Sequence, residues 1–137
     1  MQNTIRLAKE LNIYDYCIFV GGRNDVEIFC QLSDIYVSSS FQEGLCVGVL
    51  EAMACGLPLV VTDIRGNKDQ CIDGRNGFVY NINDRKKFIE SIVILYSHAE
   101  LRKRISINNL NDVKNFSLEK SLYTMSEIYS GIMNKIN

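Results

Sequence analysis

Four short apolar runs, Cys17–Val20, Ile35–Ser38, Leu59–Thr62 and Phe78–Tyr80, constrain this chain more than any other feature. None alternates cleanly between apolar and polar residues, which is the pattern of strands buried on both faces. Between them lie segments with helical spacing. Residues 2–11 carry Ile5, Leu7, Ala8 and Leu11 on one face. Asn24 or Asp25 is placed to cap a helix through Val26, Ile28, Phe29 and Leu32. Another helix follows Gly44 and stops at Cys55–Gly56, and a short one is expected over Gly66–Ile72. Asn76–Gly77 marks a turn before the last run. Strands alternating with helices predict an α/β fold, a parallel sheet with helices on both faces.

After Tyr80 the pattern turns all-helical. Asn83 or Asp84 caps a helix with Phe88, Ile89, Ile92, Leu95 and Tyr96 on one face. The next starts at Ala99 and is expected to turn Leu101, Ile105 and Leu110 inward. The last starts at Ser117, and Leu118, Leu122, Met125, Tyr129, Ile132 and Ile136 form an apolar stripe, expected to be a packing face. The chain is thus expected to be one domain over residues 1–137, with residues 84–137 as its helical tail.

The 137 residues suffice for a sizeable core. A net charge of -1 removes the electrostatic case for a nucleic-acid partner. No apolar stretch approaches the roughly 20 residues that span a bilayer, and the polar start MQNTIRLAKELN lacks a secretory core. The cysteines Cys17, Cys30, Cys46, Cys55 and Cys71 are odd in number, and no C-x-x-C pair occurs. They read as reduced, structural thiols of a cytoplasmic protein, with no metal site.

In such sheets ligands bind at the carboxyl ends of the strands, so the loops of interest are 21–24, 39–44 and 63–66. Glu43 lies in the second of these, and Glu51 lies two helical turns into the segment that follows. Eight residues of helix separate such carboxylates by about 12 Å. A carboxylate pair cleaving one bond sits closer, at roughly 6.5–9.5 Å even in inverting glycosidases. The spacing suits acceptors for two ends of an elongated ligand, such as the hydroxyls of a sugar and of a ribose. The N–H groups at the helix start, Gly44 to Val47, would then face a diphosphate between them. Spacing alone is weak, since Glu119 and Glu127 share it. A capping loop carboxylate plus a solvated helix Glu explains it equally well.

The run EGLCVGVLEAMACGLPLVVTD resembles the E-x7-E signature of the family 4 (group 1) retaining glycosyltransferases, and RNGF resembles the turn that follows. FVGGRNDV and SDIYVSSS match the preceding segments in order and spacing, so the resemblance covers essentially the whole chain. It implies the C-terminal, donor-binding half of a GT-B fold, a Rossmann-like domain. Within it Glu43 matches the catalytic-site carboxylate that contacts donor-sugar hydroxyls, and Glu51 the one that contacts the ribose. Gly44, Leu45 and Cys46 match the backbone run near sugar and phosphates, and Gly21, Gly22 and Arg23 the loop near the base. Gly66 and Asn76–Gly77 match structural turns. Cys46 departs from the family's usual Gly or Pro, and Arg65 stands where many members have Gly. His98 has no counterpart in the acceptor site.

The resemblance also implies no obligatory metal and no cofactor, a nucleotide diphosphate sugar being the donor substrate. The acceptor would be a glycan or a lipid-linked sugar, engaged through an N-terminal domain that this chain does not match. Retention, capsular or exopolysaccharide synthesis, and at most peripheral contact with the inner membrane face are further implications. Two central strands of the family's sheet, with their basic pair, are also unmatched, so a partial sheet with a gap is expected. A non-catalytic nucleotide-sugar binding module and an epimerase-like enzyme of related fold are the alternatives.

Overall fold

The structure is a computed structural model, describing the backbone of residues 1–136 and the side chains of residues 1–133. Its centre is a parallel sheet of β1 (Tyr36–Ser38), β2 (Leu59–Thr62) and β3 (Gly77–Tyr80) in the order β1-β2-β3. Val60 of β2 pairs with Val37 on one side and Phe78 on the other, so the middle strand is hydrogen-bonded along both edges. All of β2 is buried. Its side chains alternate between two cores. Leu59 and Val61 pack with Val49, Ala52 and Met53 of α3 (Val47–Ala54) and with Cys30 of α2 (Val26–Gln31). Val60 packs with Tyr80, with Leu95 of α5 (Arg85–Ser97) and with Ile105 of α6 (Ala99–Asp112). Helices therefore cover both faces, as the non-alternating runs predict.

Two buried amides hold these layers together. Asn109 Nδ2 donates to the carbonyls of Leu57 and Asn76 at 2.8 Å each, pinning α6 to the chain entering β2 and the turn entering β3. Asn76 itself donates to Gln70 O at 2.9 Å and accepts from Ile72 N at 2.8 Å. Gly77 is already the first residue of β3 rather than part of the preceding turn, and a Cβ there would collide with the carbonyl oxygen of Leu59. Asp84 caps α5 as expected, accepting from Lys87 N at 2.9 Å. The remaining α-helices are α1 (Gln2–Glu10), α4 (Arg65–Lys68) and α7 (Leu118–Ile136), with 3-10 turns at Tyr14–Tyr16 and Val113–Phe116.

Several expectations fail. Cys17–Val20 forms no strand; Cys17 is extended, but no described strand lies beside it, and Ile18 is 90% exposed. The short helix spans Arg65–Lys68, not Gly66–Ile72; beyond it the Asn76 side chain, rather than a further helical turn, takes up Gln70 O and Ile72 N. Ile89 and Tyr96 are exposed; Leu110 lies against Gly56 but stays 43% exposed, and the fully buried place on α6 beside it belongs to Asn109. Asp25 occupies the N-cap of α2 but makes no cap bond, since its carboxylate is engaged by Arg23. The stripe on α7 is left largely uncovered among the described residues: Leu118, Leu122, Met125, Tyr129 and Ile132 are all exposed. Ile136 lies outside the described side chains.

Candidate functional site

The carboxyl ends of β1 and β2 open into a cavity of about 630 Å³. The loop after β1 supplies Phe41, Gln42, Glu43 and Gly44; the turn after β2 supplies Ile64 and Arg65, with Asp69 beyond α4. Two of the loops singled out by the strand-end rule thus meet.

A chain of hydrogen bonds shapes the first loop. Asn67, wholly buried, donates through Nδ2 to Thr62 O at 3.0 Å and to Thr62 Oγ1 at 3.1 Å. Thr62 Oγ1 donates to Ser40 O at 2.7 Å, so the last residue of β2 fixes the loop after β1. Ser40 Oγ in turn donates to Glu43 Oε1 at 3.0 Å, and Ser38 Oγ lies 3.4 Å from Ser40 Oγ. Glu43 is therefore held in place by a neutral donor and forms no ion pair among the described residues. A carboxylate with a free lone-pair side is suited to accept further hydrogen bonds from hydroxyls.

The second wall is set by close approach. A Cβ on Gly66 would sit 2.7 Å from the carbonyl oxygens of both Glu43 and Gly44, so only glycine lets α4 come this near. Gly44 is the opposite case: its φ is not left-handed, and a Cβ there would meet nothing within 4 Å. The fold has no use for glycine at Gly44, which leaves backbone open to an incoming ligand.

Beside the cavity, α3 begins at Cys46 without any side-chain cap, leaving first-turn N–H groups unclaimed by side chains. Cys46 O accepts from Gln70 Nε2 at 3.1 Å. Beneath this turn Tyr36 is half-buried, and its hydroxyl is so close to Gly48 that a Cβ there would lie 2.7 Å away. Burial first, and the neighbouring Cys46 second, push the Tyr36 phenol above its ordinary range, so it stays a neutral donor.

Not every expected residue joins. Glu43 and Gly44 line the cavity; Leu45, Cys46 and Glu51 do not. Glu51 is exposed, near enough to both Cys30 of α2 and Tyr36 of β1 for its charge to be felt there. Gly21, Gly22 and Arg23 also lie outside it. Arg23 forms two 2.6 Å bonds with Asp25 and stacks 5.1 Å from the Phe29 ring. His98 is exposed at the junction of α5 and α6, 2.9 Å from Ile94 O, and has no part in the cavity. Sequence reasoning missed Ser40, Thr62 and Asn67. Their signal, small polar residues flanking strand ends, is too common to single out.

Comparison with known proteins places this geometry. The family described as Glycosyl transferases group 1 matches residues 2–112. A Bacillus subtilis (strain 168) protein assigned as glycosyltransferase EpsD is 35% identical over 135 residues, 98% of this chain and 35% of its own length. The UDP-Gal:alpha-D-GlcNAc-diphosphoundecaprenol alpha-1,3-galactosyltransferase of Escherichia coli is 31% identical over 121 residues, 83% of this chain and 31% of its own. The crystal structure of Anabaena HepE in complex with UDP superposes with a TM-score of 0.88 at 20% identity, over 95% of this chain and 36% of that one. That likeness bears on the fold, which is that of GT-B glycosyltransferases. The chain spans about a third of the length of the curated relatives it matches. It belongs to the group 1 glycosyltransferases.

Proposed function

We propose that residues 1–137 form a single, partial donor-binding domain of a retaining glycosyltransferase, with residues 84–137 as its helical tail. It holds a nucleotide diphosphate sugar for transfer to a glycan or lipid-linked acceptor, which an N-terminal domain would present. Glu43 accepts hydrogen bonds from the donor-sugar hydroxyls, and Gly44, Leu45 and Cys46 offer backbone N–H groups to sugar and phosphates. Glu51 meets the ribose; Gly21, Gly22 and Arg23 lie at the base. Preorganised N–H groups and basic side chains stabilise the leaving diphosphate without an obligatory metal.

The observation that carries this reading is the cavity at the ends of β1 and β2, with Glu43 aligned by Ser40 beside an unobstructed Gly44. Family membership supports the nucleotide-sugar chemistry. The diphosphoundecaprenol-linked acceptor named for the Escherichia coli relative supports a lipid-linked acceptor in bacterial polysaccharide synthesis. Among the described residues no helix is long and apolar enough to cross a membrane. A cytoplasmic site meeting such an acceptor at the inner membrane face needs only peripheral contact.

The test is a calorimetric titration of the chain with UDP, other nucleoside diphosphates and their hexose conjugates, followed by assay for released nucleotide. Glu43→Gln and Glu51→Gln should each weaken conjugate binding about tenfold, the worth of a charge-assisted hydrogen bond. Glu119→Gln, from the pair with the same spacing, should not. Wild-type affinity in Glu43→Gln sinks its assignment. Nucleotide release would mark catalysis in this chain; binding without release would mark a donor module.

A further inference from the structure

Arg65 is the only cation lining the cavity among the described residues, and the fold holds it there. It opens α4, separated from β2 only by Asp63 and Ile64, and the glycine-only contact of Gly66 with the Glu43 and Gly44 carbonyls fixes its backbone against the opposite wall. Its charge is unspent. Lys68, on the same short helix, pairs with Asp63, whereas Arg65 makes no ion pair or side-chain hydrogen bond among the described residues. Glu43 is engaged by Ser40, and Asp69, the other carboxylate of the cavity, is not paired with Arg65.

A free guanidinium at a cavity wall presents a planar fork of donors that matches two oxygens of one oxyanion. The opposite wall carries the open backbone of Gly44 leading to the uncapped start of α3, so an anion held by Arg65 in the cavity can also meet N–H donors. The two carboxylates oppose a bare anion in the cavity and favour one whose hydroxyl-bearing portion they can accept from. We infer that Arg65 grips a diphosphate attached to a sugar, an inference resting on the donor-cleft reading of the cavity. That chemistry has two sources in a glycosyl transfer of this class: the nucleoside diphosphate of the donor, or a diphosphate linking an acceptor sugar to a lipid.

The experiment titrates the whole chain with UDP and UMP, and with farnesyl diphosphate at saturating UDP, for wild type, Arg65→Gln, Arg65→Lys and Glu51→Gln. Circular dichroism checks that each variant folds, which the exposed position of Arg65 favours. A donor-side contact makes Arg65→Gln weaken UDP about tenfold while UMP changes less than about twofold, with Arg65→Lys between. An acceptor-side contact leaves UDP unchanged and weakens farnesyl diphosphate by a similar factor. Either result supports the inference and names the source. Wild-type binding of both diphosphates by Arg65→Gln overturns it; if Glu51→Gln still weakens UDP in that case, the donor reading survives alone. A wild-type chain that binds neither probe overturns both.

Discussion

Cys17–Val20 and Leu59–Thr62 are nearly interchangeable on composition, four apolar or β-branched residues followed by a polar turn, yet only the second is a strand. β2 has a hydrogen-bonded neighbour on each edge and a helical layer on each face, and Leu59 is fully buried. Cys17–Val20 has no strand neighbour among the described residues, and Ile18 is 90% exposed. The contrast extends to whole regions. Residues 36–116 contain nearly all of the buried core, while residues 1–35 contribute only Ala8 and Cys30. Leu7, Leu11, Tyr16 and Leu32 stay outside, as does the stripe of α7. A strand is a property of its partners, because backbone groups and side chains are stabilised only where something covers them.

Hydrogen exchange should give the largest difference between these regions. Amides of Val60 and Val61 should be protected by roughly a thousandfold or more over those of Ile18 and Phe19, since only the former need global unfolding to open. Equal protection would mean that Cys17–Val20 finds a partner in solution. Next, Gly77→Ala should cost about 3 kcal/mol or more in urea unfolding, because the new methyl is driven into the Leu59 carbonyl between β2 and β3. Leu59→Ala should cost about 3 kcal/mol, against less than about 0.5 kcal/mol for Ile18→Ala. Similar costs at both sites would erase the distinction.

Asn109→Ala, which strands the Leu57 and Asn76 carbonyls, should cost about 2 kcal/mol and loosen α6 from the sheet. Near neutral pH the smallest effect belongs to Cys71. Burial first, and Asp73 second, push its thiol from 9.0 up to about 12. The folded thiol keeps its proton where the unfolded one releases it, so its share of stability is whole below pH 9 and is lost as pH rises toward 12. Midpoints of urea unfolding should fall above pH 9 in the wild type and fall less steeply in Cys71→Ala.

Much of the fold was legible in advance. The parallel sheet, the helices on both faces, the Asp84 cap and the loops flanking the cavity follow from local pattern, because non-alternating runs and cap residues report the immediate environment of each segment. The E-x7-E spacing was less informative. Glu43 reaches the cavity, but Glu51 lies outside it, and Glu119 and Glu127 imitate the interval in a helix far from any strand end. The groups that align Glu43 were invisible, since Asn67, Thr62 and Ser40 form a relay only after β1 and β2 are paired. Asn109 was hidden for a related reason: a polar residue on an inward helix face breaks the apolar pattern, and its partners are 52 and 33 residues away.

By itself the sequence determined which segments are strands in waiting, where the polypeptide turns, and which family this chain resembles. Those are short-range matters, settled by side-chain periodicity, caps and motif order. Only the tertiary structure decided that β2 pairs while Cys17–Val20 does not, that α7 shows its stripe to solvent, and that Arg65 and Glu43 line one cavity. Each of these depends on which surface comes to lie against which, and burial is a property of the assembled chain.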